Sequence, residues 1–201
     1  MKKTEKIEKF LRKFLGSYDG TTTVFLESVF GDLYEELSFE VLRQEVVEAD
    51  RKLASKLGVE VGEKVILRNS VFRFKGEPVC FASLFSPADF LNSLGSADTS
   101  GGFEGLKKCE PIGQSIKNVE TRREMLWSVT TTDVKTHLYI LPEYKRILID
   151  YNAVCGEPKP WHDEIRYLIR NYRIIHGGKT VFDVIEVFNL DTIAVNLVDT
   201  D

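Results

Sequence analysis

Two stretches of this chain read as strand, tight turn, strand, and they constrain its fold more than any other feature. Residues 64–74 form a long extended run, Lys75-Gly76-Glu77-Pro78 turns the chain, and residues 79–85 return antiparallel to it. Residues 167–175 and 180–188 repeat the pattern through His176-Gly177-Gly178-Lys179. A further strand is predicted over 37–48, where Phe39, Val41 and Val46 are the apolar members, and another over 121–134. The helices between them are short. One is predicted over 21–30, with Val24, Phe25, Leu26 and Val29 facing the core and Gly31 as its stop. Others are predicted over 49–57, ended by Gly58, and over 87–94. Recurring antiparallel hairpins with short helices between them define an α+β fold: an antiparallel sheet with helices packed on one side.

The remaining segments divide the chain. Residues 1–18 read as an N-terminal helical arm, with Ile7, Phe10, Leu11, Phe14 and Leu15 on one helical face. Residues 19–190 form the main domain. Within it, 95–109 is a loop with four of the chain's 14 glycines, long enough to serve as a lid. Residues 135–165 are an insert, with a strand expected near 146–151, and 191–201 are a tail.

Composition excludes several function classes. With 201 residues and 43% apolar content, the chain suits one well-buried globular domain. Its net charge of −4 argues against a large nucleic-acid surface. The charge is uneven: residues 1–13 carry +4 and the rest −8. Three cysteines and three histidines show no metal-ligand spacing, so no bound metal is expected. The odd cysteine count without a secretory leader reads as a reducing cytoplasm. No apolar run approaches the roughly 20 residues of a membrane span, so no membrane partner is expected.

Strand alternation then picks out two charged side chains. Ile66, Arg68, Ser70, Phe72 and Phe74 share one face of their strand. If that face is the core face, Arg68 points inward and requires an anion from the protein or from a ligand. Phe182, Val184, Glu186 and Phe188 share a face of the last strand, which places a carboxyl among apolar neighbours. Burial of that kind raises a carboxyl pKa toward a usable acid. The competing reading is a structural Arg68–Glu186 ion pair, or a glutamate on an edge strand. The Glu110-Pro111-Ile112-Gly113 turn offers backbone N–H groups at a helix start, where a carboxylate can sit. The cluster Glu120, Arg122, Arg123 and Glu124 reads as a solvated face.

These residues, taken in order, resemble the chorismate lyase family, in its archaeal and cyanobacterial branch. Ile66-Leu67-Arg68-Asn69-Ser70-Val71, Gly76-Glu77-Pro78 and Phe81-Ala82-Ser83 resemble its first hairpin. Pro111-Ile112-Gly113 resembles its Pro-(Leu/Ile)-Gly turn, and Ile185-Glu186-Val187-Phe188 its closing hairpin. Asp19-Gly20-Thr21-Thr22-Thr23 is similar to its opening segment. The resemblance implies a sheet of about six antiparallel strands around a buried cavity, and an enzyme that splits chorismate into 4-hydroxybenzoate and pyruvate without metal or organic cofactor. It assigns Arg68 and Glu186 catalytic roles, with Ile112, Gly113 and Ser83 binding the substrate. In the expected mechanism, a protonated Glu186 donates to the breaking ether bond while Arg68 and the turn amides hold a carboxylate. The loop 95–109 and the helix near 20–30 would close over the cavity. The partner is thus chorismate or a related aromatic acid, bound by a monomer or homodimer. The alternative is a non-catalytic sensor of the UTRA type, the ligand-sensing domain attached to winged-helix transcription regulators. Only about 18 residues precede the matched region, which favours the enzyme at this stage.

Overall fold

A computed structural model describes residues 6, 9–11, 13–15, 22–90, 111–112, 116, 119–141, 143–155 and 166–198. Six strands form one antiparallel sheet: β1 (Leu37–Glu48), β2 (Lys64–Phe74), β3 (Glu77–Pro87), β4 (Arg122–Thr131), β5 (Tyr167–His176) and β6 (Lys179–Asn189). Their order across the sheet is β1-β2-β3-β6-β5-β4. The two hairpins seen in the sequence are therefore its four central strands. Both turn on two residues of positive φ: Lys75 and Gly76 in the first, Gly177 and Gly178 in the second. That is the twist-matched hairpin turn, and it sets the pairings Phe74↔Glu77 and His176↔Lys179. Glu77 and Pro78 thus open the returning strand rather than belong to the turn. A register shift beside Phe72 accommodates Pro78, which lacks an N–H.

Five α-helices are described: α1 (Thr22–Phe30), α2 (Arg51–Leu57), α3 (Val134–Leu138), α4 (Tyr144–Cys155) and α5 (Leu190–Val198). Helix α2 starts where the Asp50 side chain accepts from Leu53 N–H and stops at Gly58 in the left-handed conformation. Helices α2, α3 and α4 cover one face of the sheet. Their core joins Leu53, Leu57, Val134, Leu138, Ile147 and Tyr151 to Val65, Leu67, Phe81, Phe85, Ile185 and Val187. On the other face, one cluster packs α1 and α5 with Leu11 and Leu15 against Phe72, Phe74, Leu168 and Phe188. A second packs Ile112 and Ile116 against Leu84, Tyr172, Ile174 and Val184. Each large side chain buried there contributes about 1.5–3 kcal/mol relative to exposure.

The α+β, six-stranded architecture matches the sequence expectation, but helices cover both faces of the sheet rather than one, because both faces carry apolar side chains, and three local details differ. Residues 146–151 are not a strand but the middle of α4. Their β-branched residues favour a strand, yet Ile147 and Tyr151, four apart, pack one helical face into the core. Most of the expected tail is helix α5, whose Thr192 N–H donates to the Asn189 side chain at 3.0 Å, a cap at the third helical position. Ile193 and Ala194 are buried in it. Val24, expected in the core, is half exposed, while Phe25 and Leu26 are buried. The lid expected at 95–109 and the end of the insert lie outside the described residues.

Candidate functional site

Strand register assembles the site from rows that cross the sheet on the face away from α2–α4. One row is Ser70–Ala82–Glu186–Arg170, and the next is Arg68–Leu84–Val184–Tyr172. Between the two apolar clusters of that face lies a cavity of about 50 Å³. Its wall includes Arg68, Ser70 and Glu186 from the sheet, with Thr22 and Thr23 from α1. Pro111, Ile112 and Ile116 close one side, and Arg123 of β4 reaches in from the sheet edge. A few water-sized groups fit such a volume.

Glu186 sits at the centre of a saturated network. Arg170, its direct neighbour across β5 and β6, donates from Nε to Glu186 Oε2 at 2.6 Å. The Tyr172 hydroxyl donates to Oε1 at 3.1 Å, and the Thr22 hydroxyl donates to the same oxygen. Arg170 also donates to the Thr22 hydroxyl at 3.1 Å and to the Leu15 carbonyl at 3.2 Å. Its guanidinium lies 5.2 Å from the Tyr172 ring centre and 5.1 Å from that of Phe188. Burial lowers the Arg170 pKa, but the charge and hydrogen bond of Glu186 outweigh it, and the net shift is upward. Burial chiefly, with the adjacent Glu186 charge, pushes the Tyr172 phenol well above its ordinary range. The network also ties the start of α1 to the middle of the sheet.

The other expected site residues separate. Arg68 is fully buried in the cavity wall and lies 5.7 Å from the Phe39 ring centre. Ile112 is in the wall, and its carbonyl accepts from Ile116 N–H at 3.1 Å, which closes a helical turn. Gly113 lies outside the described residues. Ser83 pairs with Asn69 and Ile185 and points to the opposite face, buried and away from this cavity. Two residues were missed. Arg170 carried the same signal as Arg68: the alternation Leu168, Arg170, Tyr172, Ile174 puts a guanidinium on an apolar face. Arg123 was set among solvated charges, but pairing with Ile174 turns it inward, with its guanidinium 5.2 Å from the Tyr172 ring centre.

Known proteins place this geometry. Residues 33–120 match the sequence model of the UTRA domain. PhnF from Mycobacterium smegmatis superposes with a TM-score of 0.55 at 16% identity, over 85% of this chain and 64% of that one. The C-terminal domain of the histidine utilization repressor from Pseudomonas syringae pv. tomato gives 0.50 at 13% identity, over 76% and 91%. A GntR-family transcriptional regulator gives 0.48 at 17% identity, and this chain spans 55% of its length. No curated protein matches the sequence. At these identities the structures establish a shared fold.

The expectation of a chorismate-cleaving enzyme is therefore corrected. The matching sequence model is that of the UTRA domain rather than of a lyase, and the matched folds include a repressor's domain. Glu186 accepts from a guanidinium and two hydroxyls of the protein itself. Among the described residues, no helix is long and apolar enough to cross a membrane.

Proposed function

We propose that this chain is a small-molecule sensor domain of the UTRA type, and that its effector is a small anion. One observation carries the reading: the cavity wall holds two guanidinium groups, Arg68 from the sheet centre and Arg123 from its edge. Among the described residues of the wall the one carboxylate, Glu186, is bound to a third, Arg170. A charge balance of that kind favours a carboxylate or phosphate group over a cation. The Thr22, Thr23 and Ser70 hydroxyls would read the polar atoms around the anion, and Ile112 would cover its body. An aromatic acid such as 4-hydroxybenzoate fits this chemistry. With about 50 Å³ available, it would enter with a shift of α1 and the turn at 111–116.

Because α1 is tied through Thr22 to Arg170 and Glu186, a ligand at this wall acts on α1 directly. That link is the element a sensor requires: one whose position depends on occupancy. Calorimetric titration with 4-hydroxybenzoate and, separately, inorganic phosphate tests the reading. Binding of either anion, weakened about tenfold or more by Arg123→Ala, is the expected result. Equal binding by that variant, or preference for a cationic probe, refutes it.

A further inference from the structure

A second, larger cavity of about 200 Å³ shares no lining residue with the first. It lies where the start of β3, the end of β6, helix α4 and the start of β5 converge. Its walls are mostly aromatic and aliphatic: Val79, Phe81, Tyr151, Tyr167 and Val187. Phe81 and Tyr151 meet edge to face at 5.5 Å. The volume exceeds the roughly 150 Å³ of an engineered apolar protein cavity that takes up benzene. A close-packed interior leaves no such space by default.

Apart from Glu77, the polar side chains in the described wall are hydroxyl, thiol and amide groups. The Tyr151 and Tyr167 hydroxyls and the Cys155 thiol share the lining with Asn189 and Thr192. Among the described residues, no lysine, arginine or histidine lines it, and the single carboxylate, Glu77, is exposed. Burial pushes the Cys155 thiol up to about 12 and raises Tyr151 and Tyr167 as well. Apart from the exposed Glu77 carboxylate, the described wall therefore stays protonated and uncharged at neutral pH. Among the described residues no cationic side chain lines this wall, in contrast to the cavity of Arg68 and Arg123.

We propose that this cavity is a second binding site, and that its ligand is a small neutral aromatic molecule with a hydroxyl group. The ring lies against Phe81, Tyr151 and Val187. The hydroxyl exchanges hydrogen bonds with the Tyr167, Asn189 and Thr192 group. Such a ligand bridges α4, α5 and the two central strands β3 and β6, so it ties the helices to the sheet.

Phenol is the probe, followed by ligand-detected NMR on the full chain. Phenol is expected to bind and benzoate, of similar size but charged, to bind about tenfold or more weakly. The substitution Cys155→Phe fills the cavity and is expected to abolish phenol binding while 4-hydroxybenzoate or phosphate binding at the first cavity is unchanged. A readout on the unaltered protein stands beside it: phenol is expected to slow alkylation of Cys155 by iodoacetamide. Benzoate binding equal to phenol, full phenol binding by Cys155→Phe, or Cys155 alkylation indifferent to phenol each overturns the proposal.

Discussion

Two sets of ion pairs hold the two faces of this sheet, and they are built in opposite ways. On the cavity face, Arg170 and Glu186 are both sealed: their side chains are 1% and 4% exposed. On the other face, two pairs each join a buried acid to a cation that still reaches solvent. Arg43 is bidentate to Asp150 at 2.6 and 2.9 Å, and Lys56 meets Asp183 at 2.8 Å. The Arg43 and Lys56 side chains are 29% and 19% exposed, their acids 10% and 4%. The open pairs pin elements to the sheet. Asp150 on α4 also accepts from Asn69 of β2 at 2.6 Å, and Asp183 of β6 accepts from Asn171 of β5 at 3.1 Å. The sealed pair instead lies beside a cavity and carries α1. A pair that keeps one end in water retains a route to hydration when its partner is lost. The sealed pair has none, so its partners depend on one another fully.

The largest expected effect follows. Arg170→Met leaves the Glu186 charge buried with only hydroxyl donors, and about 3–5 kcal/mol of stability should disappear. Urea denaturation checks this, and a loss below about 1 kcal/mol would show that the sealed pair is no more interdependent than the open ones. Adding Glu186→Met to that variant should restore most of the stability, because two apolar side chains remove the uncompensated charge. The double variant should still fail to bind an anion normally, since the anchor of α1 is gone.

The same contrast explains what could be read in advance. The four central strands were legible because alternation, turn glycines and length all agreed, and residues 37–48 carried the same period-2 signal. Arg68 and Glu186 stood out because a charge on an apolar strand face is conspicuous. Their partners were not legible. Glu186 pairs with Arg170 rather than Arg68 because β6 lies between β3 and β5, and sheet order is not written in any one strand. Arg123 hid among local charges, since its direction depends on pairing with Ile174. Ser83 was placed with the ligand by resemblance, but alternation puts it on the face opposite Ala82 and Leu84. Residues 146–151 misled because their composition favours strand while their burial follows Ile147 and Tyr151.

On the other face, Asp150→Ala tests the weaker half of the comparison. The substitution strips the fully buried Asn69 amide of an acceptor, at a cost of about 1–3 kcal/mol, while Arg43 turns to water at little cost. Thermal unfolding should place this variant between the wild type and Arg170→Met. If it proves the more damaging of the two, partial exposure does not decide the dependence, and the number of elements joined does.

The smallest effect lies where this network reaches the surface. Arg146 contacts Glu45 at 3.1 Å and Glu143 at 3.3 Å, and Glu45 in turn lies 3.6 Å from Arg43. Arg146 is 44% exposed, so solvent screens both contacts and its long side chain loses entropy when held. Arg146→Ala should therefore shift stability by no more than about 0.5 kcal/mol, and salt should shrink that further. The informative measurement is a double-mutant cycle between Arg146→Ala and Asp150→Ala. Coupling near zero means the surface charges merely surround the Arg43–Asp150 pair. Coupling above about 0.5 kcal/mol means Glu45 transmits position from Arg146 to Arg43, and the open network works as one unit from solvent to sheet.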